Sequence, residues 1–242
     1  MAVVWGDMGR TIIACKIFEG LFDEWLEVDD EVCYFEIEQH LQIATLNEQL
    51  QQVIDNSSNH EVILLYGICG NATVGLRSGE HRVSILRVHD CTAVLSGGNQ
   101  AFLELFGENL SQGWSSVNYH NYSKEGKSPV INNGTGFLVG KHAYIDKYGE
   151  DNGEYLWSIL KSDAEIYYFT FNTIEDEETM ADIRYRGKFK IIKTIEATKE
   201  VLRKALVEED GLFSFGPNET LDVNYDFVEV FRIKDSKKDD QA

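Results

Sequence analysis

The first patterned stretch is TIIACKI (Thr11 to Ile17), a short apolar, β-branched run that predicts a buried strand. FEGLFDEWLE follows and places Phe18, Leu21, Phe22, Trp25 and Leu26 at three- and four-residue intervals, the spacing of one helix face. EVCYFEI predicts a second strand. TLNEQLQQVIDN predicts a helix that gathers Leu46, Leu50, Val53 and Ile54 on one side. HEVILLYG is the third and most apolar strand, RVSILRVH the fourth, and GNQAFLELFG a helix bounded by glycines. Strand, helix, strand, helix, strand predicts an α/β fold: a mostly parallel sheet flanked by helices, Rossmann-like, over residues 11–106.

Beyond Gly107 the pattern weakens. Gly107 to Gly136 is polar and aromatic with few periodic features, and predicts a long surface loop. Its aromatics, such as Trp114, Tyr119 and Tyr122, suit ordinary packing or the lining of a small-molecule pocket. Later, NTIEDEETMADIRYR and ATKEVLRKALVEE predict helices, and EIYYFTF, KFKIIKTIE and FVEVFRI predict strands. Residues 107–233 therefore read as a second α/β half, between a flexible arm at 1–10 with the first half and a charged, disordered tail at 234–242.

Charge narrows the partners. The 242 residues carry 41 acidic and 22 basic side chains, a net charge of −19. Such a surface repels a phosphate backbone and an anionic membrane, so nucleic acid and membrane are excluded as expected partners. No apolar run approaches the roughly 20 residues that span a bilayer. The opening MAVVWGDMGRTIIACK lacks a basic segment followed by an apolar core, which reads as no secretory signal and a cytoplasmic protein. In a reducing compartment the four cysteines, Cys15, Cys33, Cys69 and Cys91, are thiols, metal ligands or a nucleophile rather than disulfides.

Cys33 sits inside VCYFEI and reads as core. The other three fall near predicted strand ends: Cys15 on the first strand, Cys69 just past the third, Cys91 just past the fourth. Parallel strands present their carboxyl ends along one edge, about 4.8 Å apart, and ligands bind where strand order reverses. Three distant cysteines then converge there. Gly67 and Gly70 around Cys69 allow a sharp turn and a close approach. A helix beginning after Cys69 would lower its pKa and favour thiolate, the form that binds metal or attacks carbon. His89 and Asp90 precede Cys91 and add a nitrogen ligand or a proton carrier. The spacings match neither a zinc finger nor a ferredoxin run, so the metal reading rests on topology.

Two other chemistries stay open. GICGNATVG is not G-x-G-x-x-G and lacks the Walker lysine, which weakens a phosphate loop. Compared with a nucleophile elbow, Asn71 stands where the second glycine belongs. Cys69 as nucleophile, His89 as base and Asp90 as its orienter would make a metal-free thiol transferase or hydrolase, although adjacent strand residues face opposite ways.

YGICGNATVGL followed by RVHDCTAVLSG resembles the paired motifs of an uncharacterised prokaryotic family, domain of unknown function 1638. The resemblance falls on Tyr66, Gly67, Cys69, Gly70, Asn71, Thr73, Gly75, Leu76, Arg87, His89, Asp90 and Cys91, with Ala14 and Cys15 nearer the start. His40 in QHLQIATL matches a segment whose proline is missing here, and KYGEDNGEYLW resembles a later family helix. Within these motifs Gly67, Gly70, Asn71, Thr73, Gly75 and Arg87 are the candidate cofactor-binding residues. The resemblance implies a setting among anaerobes and methanogens, next to corrinoid-dependent methyltransferases of one-carbon metabolism. The combined expectation is an iron–sulfur (4Fe–4S) or zinc centre on Cys15, Cys69 and Cys91. Its partner would be a small-molecule substrate or a corrinoid methyltransferase protein, and any corrinoid would arrive only through that partner; the alternative is a non-catalytic partner of such a methyltransferase.

Overall fold

The computed structural model describes residues 9–107, 113–124, 131–132, 137–138, 145, 148–161, 164–186, 189–224 and 226–234. The arm at 1–8, the tail at 235–242 and much of the 107–136 segment lie outside the described residues.

The chain forms two compact units, one of residues 1–100 and 199–242, the other of residues 101–198. In chain order the first begins with β1 (Arg10–Cys15), β2 (Glu31–Phe35), α1 (Ile43–Asn56), β3 (Glu61–Leu65), β4 (Arg82–Leu86) and α2 (Cys91–Ser96). Helix α3 (Asn99–Phe106) spans the boundary. The second unit holds β5 (Trp114–Ser115), α4 (Val117–Lys124), β6 (Ile131–Asn132), β7 (Phe137–Leu138), α5 (Glu150–Lys161), β8 (Ala164–Thr170), α6 (Ile174–Arg186) and β9 (Phe189–Glu196). The first unit is completed by α7 (Glu200–Arg203), β10 (Leu212–Phe215), β11 (Leu221–Val223) and β12 (Phe231–Ile233).

The α/β expectation holds. The main sheet runs β10-β4-β3-β1-β2, with β1 to β4 parallel and β10 antiparallel at the edge. Its centre is dry because β1 and β3 are apolar on both faces: Ile12, Ile13, Ala14 and Val62 to Leu65 are all buried. Ile13 lies between Cys33 and Leu64 in the register. Helix α1 buries Leu46, Leu50 and Ile54. The chain leaves β1 outward to β2 and crosses back to β3 on the other side of β1. The topological switch point therefore lies between β1 and β3.

Arg10 ties the start of β1 to the approach to β2. Its Nε and Nη2 bind the two carboxylate oxygens of Asp30 at 3.0 and 2.6 Å, and its Nη1 donates to the Leu206 carbonyl at 2.8 Å.

Several elements differ from expectation for physical reasons. The helix expected over FEGLFDEWLE is two 3₁₀ turns, Lys16–Phe18 and Asp23–Trp25. Phe18 and Phe22 are buried as their spacing demands, but Gly20 takes φ +76° between them and interrupts the helix. ATKEVLRKALVEE begins as α7, winds through a π turn at Lys204–Glu208 and stops at Glu209, whose φ is +52°. FVEVFRI is extended only at Phe231–Ile233, because Asp226 gathers the Val228 and Glu229 N–H groups into a turn. Residues 199–234 do not continue the second half: β10 pairs with β4, and β11 with β12, in the first unit.

In the second unit β5, β8 and β9 form a parallel sheet over a core of Ile166, Tyr168 and Ile183. The segment expected as a loop contributes β5 and α4. Tyr119 and Tyr122 are buried, and Trp114 packs on Tyr119 and Phe169. No helix among the described residues is long and apolar enough to cross a membrane.

Candidate functional site

Cys15 is the last residue of β1 and is buried. Past β3 the chain stays extended beside the segment that follows β4, with Ile68 N–H donating to the Val88 carbonyl at 3.2 Å and Cys69 N–H to His89 at 3.0 Å. Gly67 makes this possible. A Cβ there would lie 2.4 Å from the Val88 carbonyl oxygen and 2.9 Å from that of His89. The backbone then turns through three consecutive left-handed residues, Cys69 (φ +46°), Gly70 (+67°) and Asn71 (+73°). Glycine adopts that conformation freely and asparagine with little cost, but cysteine does so under strain of order 1–2 kcal/mol.

The turn is held from three sides. Thr73 Oγ1 donates to the Gly67 carbonyl at 3.0 Å. Asn47 on α1 donates to the Ala72 and Val74 carbonyls at 2.8 and 3.0 Å. Gly75 (φ +83°) donates its N–H to Leu221 at 2.9 Å. Asn47→Ala removes both side-chain donors and is expected to cost about 1–2 kcal/mol, measured by urea unfolding. Cys91 opens α2, whose N-cap is Asp90: the carboxylate accepts from Thr92 N at 2.9 Å, Ala93 N at 3.1 Å and the Thr92 hydroxyl. Cys15, Cys69 and Cys91 thus come from the carboxyl ends of β1, β3 and β4, three neighbouring strands at the switch point.

Their electrostatics reverse one expectation. No helix begins after Cys69; residues 70–75 are turns. Burial pushes the Cys15 thiol up to about 12, and Glu36 adds to it. Burial, with Asp90, also pushes the Cys69 and Cys91 thiols up. Cys69 also feels Cys15, and Cys91 feels both. The charged side chains acting on the three are carboxylates, so without a cation the thiols stay protonated at neutral pH.

Tyr66 was not singled out as a site residue from its pattern. It directly follows β3, is 1% exposed, and is within electrostatic reach of all four cysteines. Its ring stacks on His40 at 5.8 Å, so the QHLQIATL segment reaches the site despite its missing proline. His40 in turn feels the Asp90 charge, while burial holds its pKa down. The signal in sequence was the tyrosine directly before the Gly-x-Cys-Gly turn.

The remaining residues sort differently. His89 lies against the Phe227 ring, with centroids 4.1 Å apart, and hydrogen-bonds the Phe227 backbone; its buried Nε2 has no partner among the described residues. Burial lowers its pKa. With Asp90 capping α2, the Asp90–His89–Cys69 relay is not assembled. Arg87 donates to the Leu212 carbonyl on β10, the neighbour of β4 opposite β3. Gly70 and Asn71 are exposed on the turn. Cys33 is half-buried on β2 beside a cleft of about 620 Å³ lined by Glu31, Tyr34, Gln49, Gln52 and Asn56, among others. Among the described residues no set of three or more His, Cys, Asp or Glu side chains is arranged to hold a metal ion.

Residues 34–128 match a family described as a protein of unknown function (DUF1638), which bears out the resemblance carried by the Cys69 and Cys91 motifs. No curated protein and no solved structure matches the chain.

Proposed function

We propose that Cys15, Cys69 and Cys91 bind a thiolate-loving metal centre, a four-iron cluster or zinc, in a cytoplasmic protein. The observation that supports this reading is that the three cysteines follow the carboxyl ends of three neighbouring strands, β1, β3 and β4. The donor set fits: thiolate sulfur suits iron–sulfur clusters and zinc, and a cation favours the ionised thiol. A buried hydroxyl on Tyr66, without a partner among the described residues, fits a site that accommodates a further group.

When bound, such a centre supplies an open coordination position that acts as a Lewis acid. The chain's own residues do the rest. The strained turn aims Cys69, the Asp90 cap fixes the first turn of α2 under Cys91, and the packed end of β1 keeps water from Cys15. The metal-free nucleophile reading is the weaker one, since Cys69 is held protonated and the His89 ring is engaged with Phe227. With the centre goes the family's implied setting beside a corrinoid methyltransferase of one-carbon metabolism, a partner to be sought by co-purification.

The test is metal and sulfide analysis after anaerobic reconstitution with iron and sulfide, and separately with zinc. The wild type is expected to hold one centre. Cys15→Ser, Cys69→Ser and Cys91→Ser should each lose it, and Cys33→Ser should keep it. A wild-type protein that takes up neither overturns the proposal.

A further inference from the structure

Tyr66 is 1% exposed, and its hydroxyl has no hydrogen-bond partner among the described residues. Burying a hydroxyl unpaired is costly, and such atoms are rare enough to call for an explanation. The ring is not loosely placed: it follows β3 directly at the switch point and is stacked on His40. The hydroxyl lies within electrostatic reach of Cys15, Cys69, Cys33 and Cys91 yet is bonded to none of them. The described residues leave it a donor without an acceptor.

We infer that the Tyr66 hydroxyl is the protein's donor to a small carboxylate bound at the open position of the three-cysteine centre. This rests on the three-cysteine reading. A phenol O–H is a donor suited to an oxygen anion, and the hydrogen bond is short and strong when the acceptor is charged. A carboxylate meets both demands of the site, since one oxygen can face the Lewis acid and the other the hydroxyl.

The experiment uses the full chain loaded with cobalt(II) in place of zinc and titrated with acetate, the cobalt ligand-field bands being followed in the wild type and Tyr66→Phe. The wild type is expected to bind acetate. Tyr66→Phe should bind cobalt equally well but acetate about tenfold more weakly, or worse. In metal-free protein Tyr66→Phe should melt at the same temperature or higher, because it removes an unpaired buried hydroxyl.

Equal acetate binding by both proteins, or none by the wild type, overturns the inference. So does weakened cobalt binding in Tyr66→Phe, which would assign the hydroxyl to the sulfurs. A fall of several degrees in the metal-free melt would show a partner within the protein and overturn it too. A wild type that takes up no cobalt fails at the earlier step, and the three-cysteine reading falls with it.

Discussion

Gly67→Ala is expected to destabilise the protein by about 3 kcal/mol and to abolish metal uptake. The added methyl would sit 2.4 Å from the Val88 carbonyl oxygen and 2.9 Å from the His89 carbonyl carbon and oxygen. These are backbone atoms, so no side-chain rotation relieves the clash. Forcing the two segments apart costs roughly 1–3 kcal/mol. It also breaks the bonds from Ile68 and Cys69 N–H to Val88 and His89, each worth about 1 kcal/mol. Those bonds hold Cys69 against the segment that leads to Cys91, so the damage reaches the site. Gly70→Ala is the control: its φ is +67°, but the nearest atom to its Cβ, Ile43 Cδ1, is at 3.4 Å. It should lose only about 1 kcal/mol. Urea unfolding separates the two, and a Gly67→Ala loss no larger than that of Gly70→Ala would contradict the steric account.

Asp30→Ala is expected to cost about 3–5 kcal/mol, because it strands a buried guanidinium. The side chains of Arg10 and Asp30 are 12% and 0% exposed, and the 2.6 Å contact is one arm of a two-pronged pair. Glu27, 3.8 Å from Arg10 but 75% exposed, is a poor substitute. The pair also has an acid signature. Burial alone would raise the Asp30 pKa, but the Arg10 hydrogen bond and the Glu27 and Arg10 backbone N–H groups outweigh it, and the pKa lies below the ordinary 3.8. A depressed carboxylate stabilises the fold above its unfolded pKa, and that contribution is lost as pH falls through the lower folded value. Wild-type stability should therefore drop below about pH 4 more steeply than that of Asp30→Ala. Parallel acid limbs in chemical denaturation would refute this.

The sheet was legible because its central strands are apolar throughout and α1 repeats Leu46, Leu50 and Ile54 at helical spacing. The placing of Cys15, Cys69 and Cys91 at strand ends followed from that alone. What pattern could not supply was context. Phe18 and Phe22 keep helical spacing in a segment that a single glycine conformation breaks. LFSF is too short to announce itself, and it is a strand because β4 offers an edge. Asp90 reads equally well as an acid beside a histidine and as a helix cap, and only the N–H groups of Thr92 and Ala93 decide. The lowered Cys69 pKa expected from sequence is reversed because its sign depends on burial, which sequence spacing does not carry. Tyr66 enters the sequence only as part of the family motif; the burial of its hydroxyl without a partner among the described residues exists only in three dimensions.

The pairing of β10 with β4 sets an order of events at the ribosome. β4 emerges with one side of its backbone unsatisfied, and its partner is not synthesised until the whole of residues 101–198 has been made. Throughout that interval an apolar strand presents an open edge, the feature through which nascent chains aggregate or pair wrongly. Slowing translation across residues 101–198 prolongs the vulnerable state, and a stall there leaves a sheet that lacks its closing strand.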